Sequence, residues 1–202
     1  PPIDPDEFKK AREINFKRKG KPRFLHILGT AASMDRNGTL DLLDSVKLTK
    51  SDFELVVKTQ HPISIEYFLD DPRVKYEIND EKDNSSLYEN FDALLLPRRW
   101  GGLSLTTNEA LMSGLPVIMP NISPNDKLLP KVWLVDAELK AVFPTRAPIE
   151  VYSVDHQKFA DKIDWLIENN EENMKRLAFE IGKENFSEEV LSPQYEELFK
   201  SS

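Results

Sequence analysis

The chain is predicted to fold as an α/β domain with a doubly wound, mostly parallel, Rossmann-like sheet. Three observations carry that prediction. Short apolar runs alternate with amphipathic stretches of helical period along most of the chain, the pattern of parallel strands joined by crossovers. The block 100–118 reads in order as glycine turn, helix, glycine and buried strand. The 202 residues, 40% hydrophobic and 31% charged, suffice for one large domain core.

Phe24 to Leu28 is the first apolar run and reads as a strand. Thr39, Leu42, Leu43 and Val46 have helical spacing, so a helix follows. Phe53 to Val57 is a second strand, Ile63 to Leu69 a short helix and Val74 to Ile78 a third strand. Ser85 to Asn90 reads as a short helix and Ala93 to Leu96 as the fourth strand. Gly114 ends the helix after the glycine turn as a C-cap, and Leu115 to Met119 opens the fifth strand. Val132 to Val135 supplies a sixth. Asp136 to Ser153, interrupted by Pro144 and Pro148, reads as a loop with one edge strand. Phe159, Ile163, Leu166 and Ile167 form one helical stripe, and Met174, Leu177, Ala178 and Ile181 another. Glu188 to Lys200 reads as a last helix. The expected organisation is one domain over 1–186, with 1–22 as a basic linker leading into it and 187–202 as a terminal helix.

Composition narrows the function classes. The formal net charge is −8. Residues 1–24 carry eight Lys/Arg against four acids, so the rest of the chain is strongly acidic. An acidic body argues against direct nucleic-acid binding by this domain. The basic segment reads as a solvated linker, with an anionic membrane surface or an acidic partner as its other uses. No run of about 18 apolar residues suggests a transmembrane segment, and the amino terminus is not signal-like. The start at Pro1-Pro2 without methionine reads as a fragment. Cysteine is absent, which excludes disulfides and thiolate metal sites and agrees with a cytoplasmic location. His26, His61 and His156 have no paired spacing, so each reads as a core or surface histidine and no metal site is expected. No nucleophile elbow or paired-carboxylate spacing supports hydrolase chemistry.

The chemistry concentrates at the glycine turn. Glycine lets backbone approach a ligand closely, and a helix that opens after it points free N–H groups and a positive dipole at the crevice. Gly101, Gly102, Leu103 and Ser104 are thus candidate anion-binding positions, with Glu109 one turn on as a carboxylate suited to a vicinal diol. Arg98 and Arg99 lie at the carboxyl end of a strand, where open α/β sheets bind ligands, so at least one of them faces the crevice and the other is free to be surface. Lys58 ends the second strand on the same rim, and Gly29, Thr30 and Arg36 lie in the first strand-to-helix loop. That loop is neither G-x-G-x-x-G nor a Walker motif and gives no independent nucleotide signal. Pro120, Pro124 and Pro130 frame a further rim loop after the fifth strand.

Gly102, Leu103, Ser104, Leu105, Glu109, Ala110, Gly114, Pro116, Val117 and Ile118 fall without gaps on a signature. It is the donor-binding signature E-G-F-G-L-x-x-x-E-A-M-A-x-G-x-P-V-I, and the chain here resembles retaining glycosyltransferases of the two-Rossmann-domain (GT-B) type, group 1. The flanks Pro2 to Phe8, Phe24 to Gly29 and Leu87 to Pro97 resemble the same family more weakly. The resemblance implies the C-terminal, nucleotide-sugar-binding domain of such an enzyme, with the acceptor site on an N-terminal domain that this chain lacks. It implies phosphate contacts from the loop of Gly29 and Thr30 and from the Gly101 to Ser104 turn, and Glu109 on the ribose; by their place on the rim Arg98, Arg99, Arg36 and Lys58 are the candidate cations for leaving-group stabilisation. Base contacts fall near Ile78-Asn79. No cofactor beyond the nucleotide-sugar substrate (UDP- or GDP-linked) and no metal is implied, and the final helix, with Phe186, Leu191, Tyr195 and Phe199, packs toward the missing domain. Two departures stand out: the signature's first glutamate is Gly101, and the family's basic pair is replaced by Gly29-Thr30 and Asn37-Gly38. They keep a non-catalytic nucleotide-sensing or interaction domain open as an alternative, beside an epimerase or phosphorylase of the same fold.

Overall fold

The computed structural model describes residues 2–29, 35–78, 83–101, 104–169 and 172–200. Six strands form one parallel sheet: β1 (Arg23–Ile27), β2 (Glu54–Thr59), β3 (Val74–Ile78), β4 (Ala93–Leu95), β5 (Val117–Pro120) and β6 (Leu134–Val135). Their spatial order is β3-β2-β1-β4-β5-β6. The order runs outward in both directions from β1 and β4, so the connections after these two strands leave toward opposite faces and open a crevice at their carboxyl ends.

The strands are apolar because both faces are covered. Phe24, Leu25, Leu55, Val56, Val57, Leu94, Leu95, Val117 and Ile118 are fully buried. Helices α2 (Thr39–Leu48) and α5 (His156–Glu168) pack on each other, as do α3 (Leu105–Met112) and α6 (Glu172–Phe186). The 63–69 and 85–90 segments, expected as short helices, form only 3-10 turns at Ile65–Tyr67 and Asn84–Tyr88. A short helix α4 (Asn125–Leu128) lies in the loop framed by prolines.

The segment 136–153 corrects the expectation of one edge strand. It is a two-stranded antiparallel hairpin, β7 (Ala137–Phe143) and β8 (Ile149–Val154), separate from the main sheet. Strand β7 is exposed along most of its length, so Glu138 and Lys140 sit in it at no desolvation cost and dilute its apolar signal. Both prolines fall in the connection, outside the ladder.

Part of the basic amino-terminal segment is helical: α1 (Lys9–Lys17) buries Ala11 and Asn15. Its cations serve the fold. Arg12 donates to the Met112 and Pro5 carbonyls, and Arg18 reaches Asp92 at 2.5 Å. Asp92 also accepts from Lys175 at 2.7 Å, with both side chains almost wholly buried. Asn15 completes this network at the amino end of the sheet, donating to the Tyr88 and Ser113 carbonyls and accepting from the Phe91 amide. The last helix, α7 (Glu188–Lys200), buries none of its residues, and Tyr195 and Phe199 are exposed on it, whereas Phe186 is buried within this chain. No described helix is long and apolar enough to cross a membrane.

Candidate functional site

The loops that follow β1 and β4 meet at the crevice because Gly38 allows it. A β-carbon at Gly38, whose φ is +72°, would collide with the Pro97 carbonyl. Beneath this junction His26 on β1 is fully buried between Leu95 and Thr39, with ring nitrogens 2.8 Å from the Leu95 carbonyl and 2.8 Å from the Thr39 hydroxyl. Burial drives its pKa down to about 4, so the ring is neutral; one nitrogen donates to the carbonyl and the other accepts from the hydroxyl. His26 is thus a core histidine that ties β1, β4 and the start of α2 together.

The amino terminus of α2 is already occupied by a carboxylate of this chain. Asp35, at φ 54°, accepts from the Thr39 amide at 2.7 Å and the Leu40 amide at 3.2 Å. Burial nevertheless raises its pKa to about 6. An external anion therefore does not have these amides to itself.

The other side of the crevice is different. Arg98, after β4, is buried, and its Nε donates to the Trp100 carbonyl at 3.1 Å. Arg36, from the loop after β1, directs its Nε to the same carbonyl at 3.4 Å. Two guanidinium groups from opposite sides of the sheet's reversal point so converge on one turn. A β-carbon at Gly101, whose φ is +105°, would collide with Arg36 Nη2 and stand 2.9 Å from Arg98 Nη2. Desolvation first, and then the Arg36 charge, lower the Arg98 pKa to about 10. Among the described residues neither arginine has an acidic partner within salt-bridge distance. A buried guanidinium beside a half-buried one, without a described carboxylate, is electrostatically unfavourable on its own and is relieved by a bound anion.

Arg99, the other member of the pair, turns elsewhere. Its amide donates to the Arg36 carbonyl at 2.9 Å, and its Nε donates to the Tyr152 carbonyl at 3.3 Å, tying the turn to β8. Lys58 is buried against the sheet face, 3.6 Å from the Glu77 carboxylate and 5.5 Å above the Phe91 ring. It also lines a cavity of about 200 Å³ at the ends of β1 and β2 with Gly29, Thr59, Gln60, Asn84 and Leu87.

Ser104 is the buried N-cap residue of α3, and its side chain makes no cap hydrogen bond to the helix. Glu109, one turn further on, is half-buried and accepts from the Tyr88 hydroxyl at 2.7 Å. Its pKa is raised, mainly by burial, with the tyrosine bond working in the opposite direction. Thr30, Asn79, Gly102 and Leu103 lie outside the described residues. The structure thus brings Arg36, Arg98, Gly101 and Ser104 to one rim. It places Lys58 and Gly29 at a neighbouring cavity, Glu109 beside Tyr88, and Arg99 on the hairpin. Among the described residues no group of three or more His, Asp or Glu side chains has metal-binding geometry. Trp100 escaped notice in the sequence; its carbonyl gathers both arginines, a role no side-chain pattern reveals.

No protein-family model and no curated protein sequence matches the chain. Solved structures share its fold. A glycosyltransferase from Rickettsia africae superposes over 99% of this chain and 55% of its own at 17% identity, with a TM-score of 0.69. The C-terminal domain of a glycosyl transferase group 1 family protein (LpcC) from Francisella tularensis matches over 92% of this chain and 98% of its own, at 18% identity and a TM-score of 0.61. Anabaena HepE in complex with UDP matches over the whole chain and 56% of its own, at 13% identity and a TM-score of 0.72. The chain spans about half the length of several such neighbours and nearly all of the isolated C-terminal domain. Its fold is therefore that of the C-terminal Rossmann-like domain of GT-B glycosyltransferases.

Proposed function

We propose that this chain is the nucleotide-sugar-binding domain of a glycosyltransferase that transfers the sugar to an acceptor held by a second domain, with retention of anomeric configuration. The observation that carries the reading is the pair Arg36 and Arg98, converging at Gly101 without a described acidic partner on the rim where a doubly wound sheet binds ligands. The UDP bound in the HepE structure, on the same fold, supports a nucleoside diphosphate as the anion.

In this reading the carbon–oxygen bond from the sugar to the diphosphate breaks, and its electron pair leaves with the phosphate oxygen. Arg36 and Arg98 bind that oxygen's neighbours and stabilise the growing charge more strongly as the bond opens, which lowers the barrier. The N-terminal dipole of α3, starting at Ser104, adds to the same field. Glu109, held by Tyr88, is assigned to the ribose hydroxyls, and the cavity beside Lys58, Gly29 and Asn84 to the nucleoside. Arg99 acts as a positioning residue, because its bonds anchor the turn to β8.

A thermal-shift series with UDP, GDP and ADP tests the reading, since a ligand that binds only the folded state raises its melting midpoint. At least one diphosphate raises the midpoint, and the corresponding nucleoside without phosphate does not. No shift with any of the three at millimolar concentration contradicts the proposal. Sugar transfer is expected to be absent with residues 1–202 alone, because orientation of both reactants needs the second domain. A chain that binds the diphosphate and modulates a partner without transferring sugar remains the second reading, favoured by Gly101 standing where the signature has a carboxylate.

A further inference from the structure

The hairpin β7–β8 stands apart from the six-stranded sheet, and its two edges are unlike. The β8 edge is held by the turn after β4: the Tyr152 amide donates to the Arg99 carbonyl at 2.9 Å, and Arg99 Nε donates to the Tyr152 carbonyl at 3.3 Å. The β7 edge is bare. Residues 138–142 are exposed, and among the described residues nothing outside the hairpin bonds to their backbone. The direction of the free groups follows from the register. Tyr152 turns both backbone groups toward Arg99, so its pair with Leu139 is a non-hydrogen-bonded one, in which the Leu139 N–H and C=O point away from β8. The Leu139 side chain is half exposed too, at 51%. Against β8, strand β7 carries one extra residue at Lys140, so the regular outward row is short and centres on Leu139. A two-stranded hairpin with outward N–H and C=O groups is a template for a further strand, and gains stability from one.

We infer that β7 pairs antiparallel with β7 of a second copy of this chain, about a two-fold axis at Leu139. The strand's own sequence selects that occupant. Ala137-Glu138-Leu139-Lys140-Ala141 reads outward from its centre as leucine, then acid and base, then alanine on both sides. Antiparallel pairing centred on Leu139 lets the two copies of that residue exchange N–H···O=C bonds, and it sets Glu138 of each copy opposite Lys140 of the other. Moving the axis one residue either way opposes Glu138 to Glu138 or Lys140 to Lys140, so the charges fix the register as well as the partner. A foreign strand has no such built-in match. The Glu138 and Lys140 side chains are 78% and 50% exposed and bridge each other at 2.8 Å within one strand, so they are free to turn across the axis. The contact is isologous, as a closed dimer requires. It is also short, and each copy carries a net charge of −8, so the dimer is a reversible one that forms at high concentration. Pairing would join β8, β7 and their copies into one sheet and steady the hairpin to which Arg99 is bound. It does not depend on a nucleotide.

Sedimentation velocity on the full 202-residue chain, from micromolar to millimolar concentration, reads the association. Wild type is expected to pass from monomer to dimer as concentration rises. Glu138→Lys and Lys140→Glu each place two pairs of like charges across the axis and should weaken the dimer about tenfold. Both positions are exposed, and circular dichroism checks that the fold is kept. The double variant Glu138→Lys/Lys140→Glu should restore wild-type association, and an equimolar mixture of the two single variants should form a mixed dimer, because every charge then meets its opposite. Wild type that stays monomeric over the whole range overturns the pairing; slowed hydrogen exchange at the Leu139 amide in that monomer would show the edge covered from within the chain instead. A dimer indifferent to both single variants lies on another surface and overturns it. A dimer that the single variants weaken, but that neither the double variant nor the mixture restores, lacks this register and overturns it as well.

Discussion

The two ends of the sheet treat buried charge in opposite ways. At the amino end Asp92 is shared by Arg18 and Lys175 and lies within reach of Asn15's network, so each cation there is matched and hydrogen-bonded. At the carboxyl end Arg36 and Arg98 crowd one carbonyl with no carboxylate described beside them. The first arrangement fastens α1, β4 and α6 together. In the second, two guanidinium groups share one carbonyl without an acidic partner among the described residues. On the proposed reading the paired charges serve the fold and the unpaired ones serve binding, and the contrast can be broken or sharpened by experiment.

The largest effect is expected at the amino end. Asp92→Ala leaves Lys175 buried and unpaired and should destabilise the fold by about 3–5 kcal/mol, read from the urea midpoint. A loss below about 1 kcal/mol would show that Lys175 finds water there and that the network is not structural.

Next comes the neutral histidine beneath the site. With a folded-state pKa of about 4 against 6.5, His26 resists a proton that the unfolded chain accepts, so its contribution is complete above pH 6.5 and is lost as pH falls toward 4. A full shift of this size amounts to about 3 kcal/mol, and His26→Gln should abolish that part of the acid dependence. Asp35 acts with the opposite sign. Its pKa is raised from 3.8 to about 6, so the stability of its protonated form is present below 3.8 and lost as pH rises through 6, and Asp35→Asn should flatten that limb. Urea titrations of both variants between pH 4 and 7.5 separate the two; variants that track wild type across this range refute the assignment.

Glu109→Ala should weaken nucleoside diphosphate binding by about 1–3 kcal/mol, as expected for a lost hydrogen bond to a charged group. Unchanged affinity in calorimetry would remove Glu109 from the site and leave its bond to Tyr88 as its whole role.

The smallest effect sharpens the comparison most. Arg98→Met should change folding stability by less than about 1 kcal/mol, or raise it, because a buried charge next to a like charge is replaced by an apolar side chain of similar length. A large destabilisation would mean that Arg98 is a structural cation like Lys175.

Much of the fold was legible in the sequence because burial on both sheet faces forces continuous apolar runs in β2, β4 and β5; the edge strand β3, Val74–Ile78, and the helix α7, Glu188–Lys200, also span the ranges read. The second strand of the hairpin was missed because Pro144 and Pro148 break the segment and suggested a loop, whereas both fall in the connection between β7 and β8, whose side chains are mostly solvated in β7. The signature block pointed to the rim where Arg36 and Arg98 meet at Gly101. The pairing of Arg36 with Arg98 was not legible, since the two lie far apart in sequence and meet only through the β1–β4 adjacency and the close approach of Gly38 to Pro97. Nor could spacing decide between Arg98 and Arg99, because neither helix nor strand periodicity governs a turn. Lys58 faces Glu77 through the parallel register of β2 and β3, which local pattern does not specify.

The most direct measurement is a calorimetric titration of UDP and GDP into wild type and the double variant Arg36→Ala/Arg98→Ala at two salt concentrations. Wild type should bind at least one diphosphate with an affinity that falls as salt rises, and the double variant should lose that binding while keeping its melting midpoint. A double variant that binds as tightly as wild type would show that the two arginines at Gly101 are not an anion site.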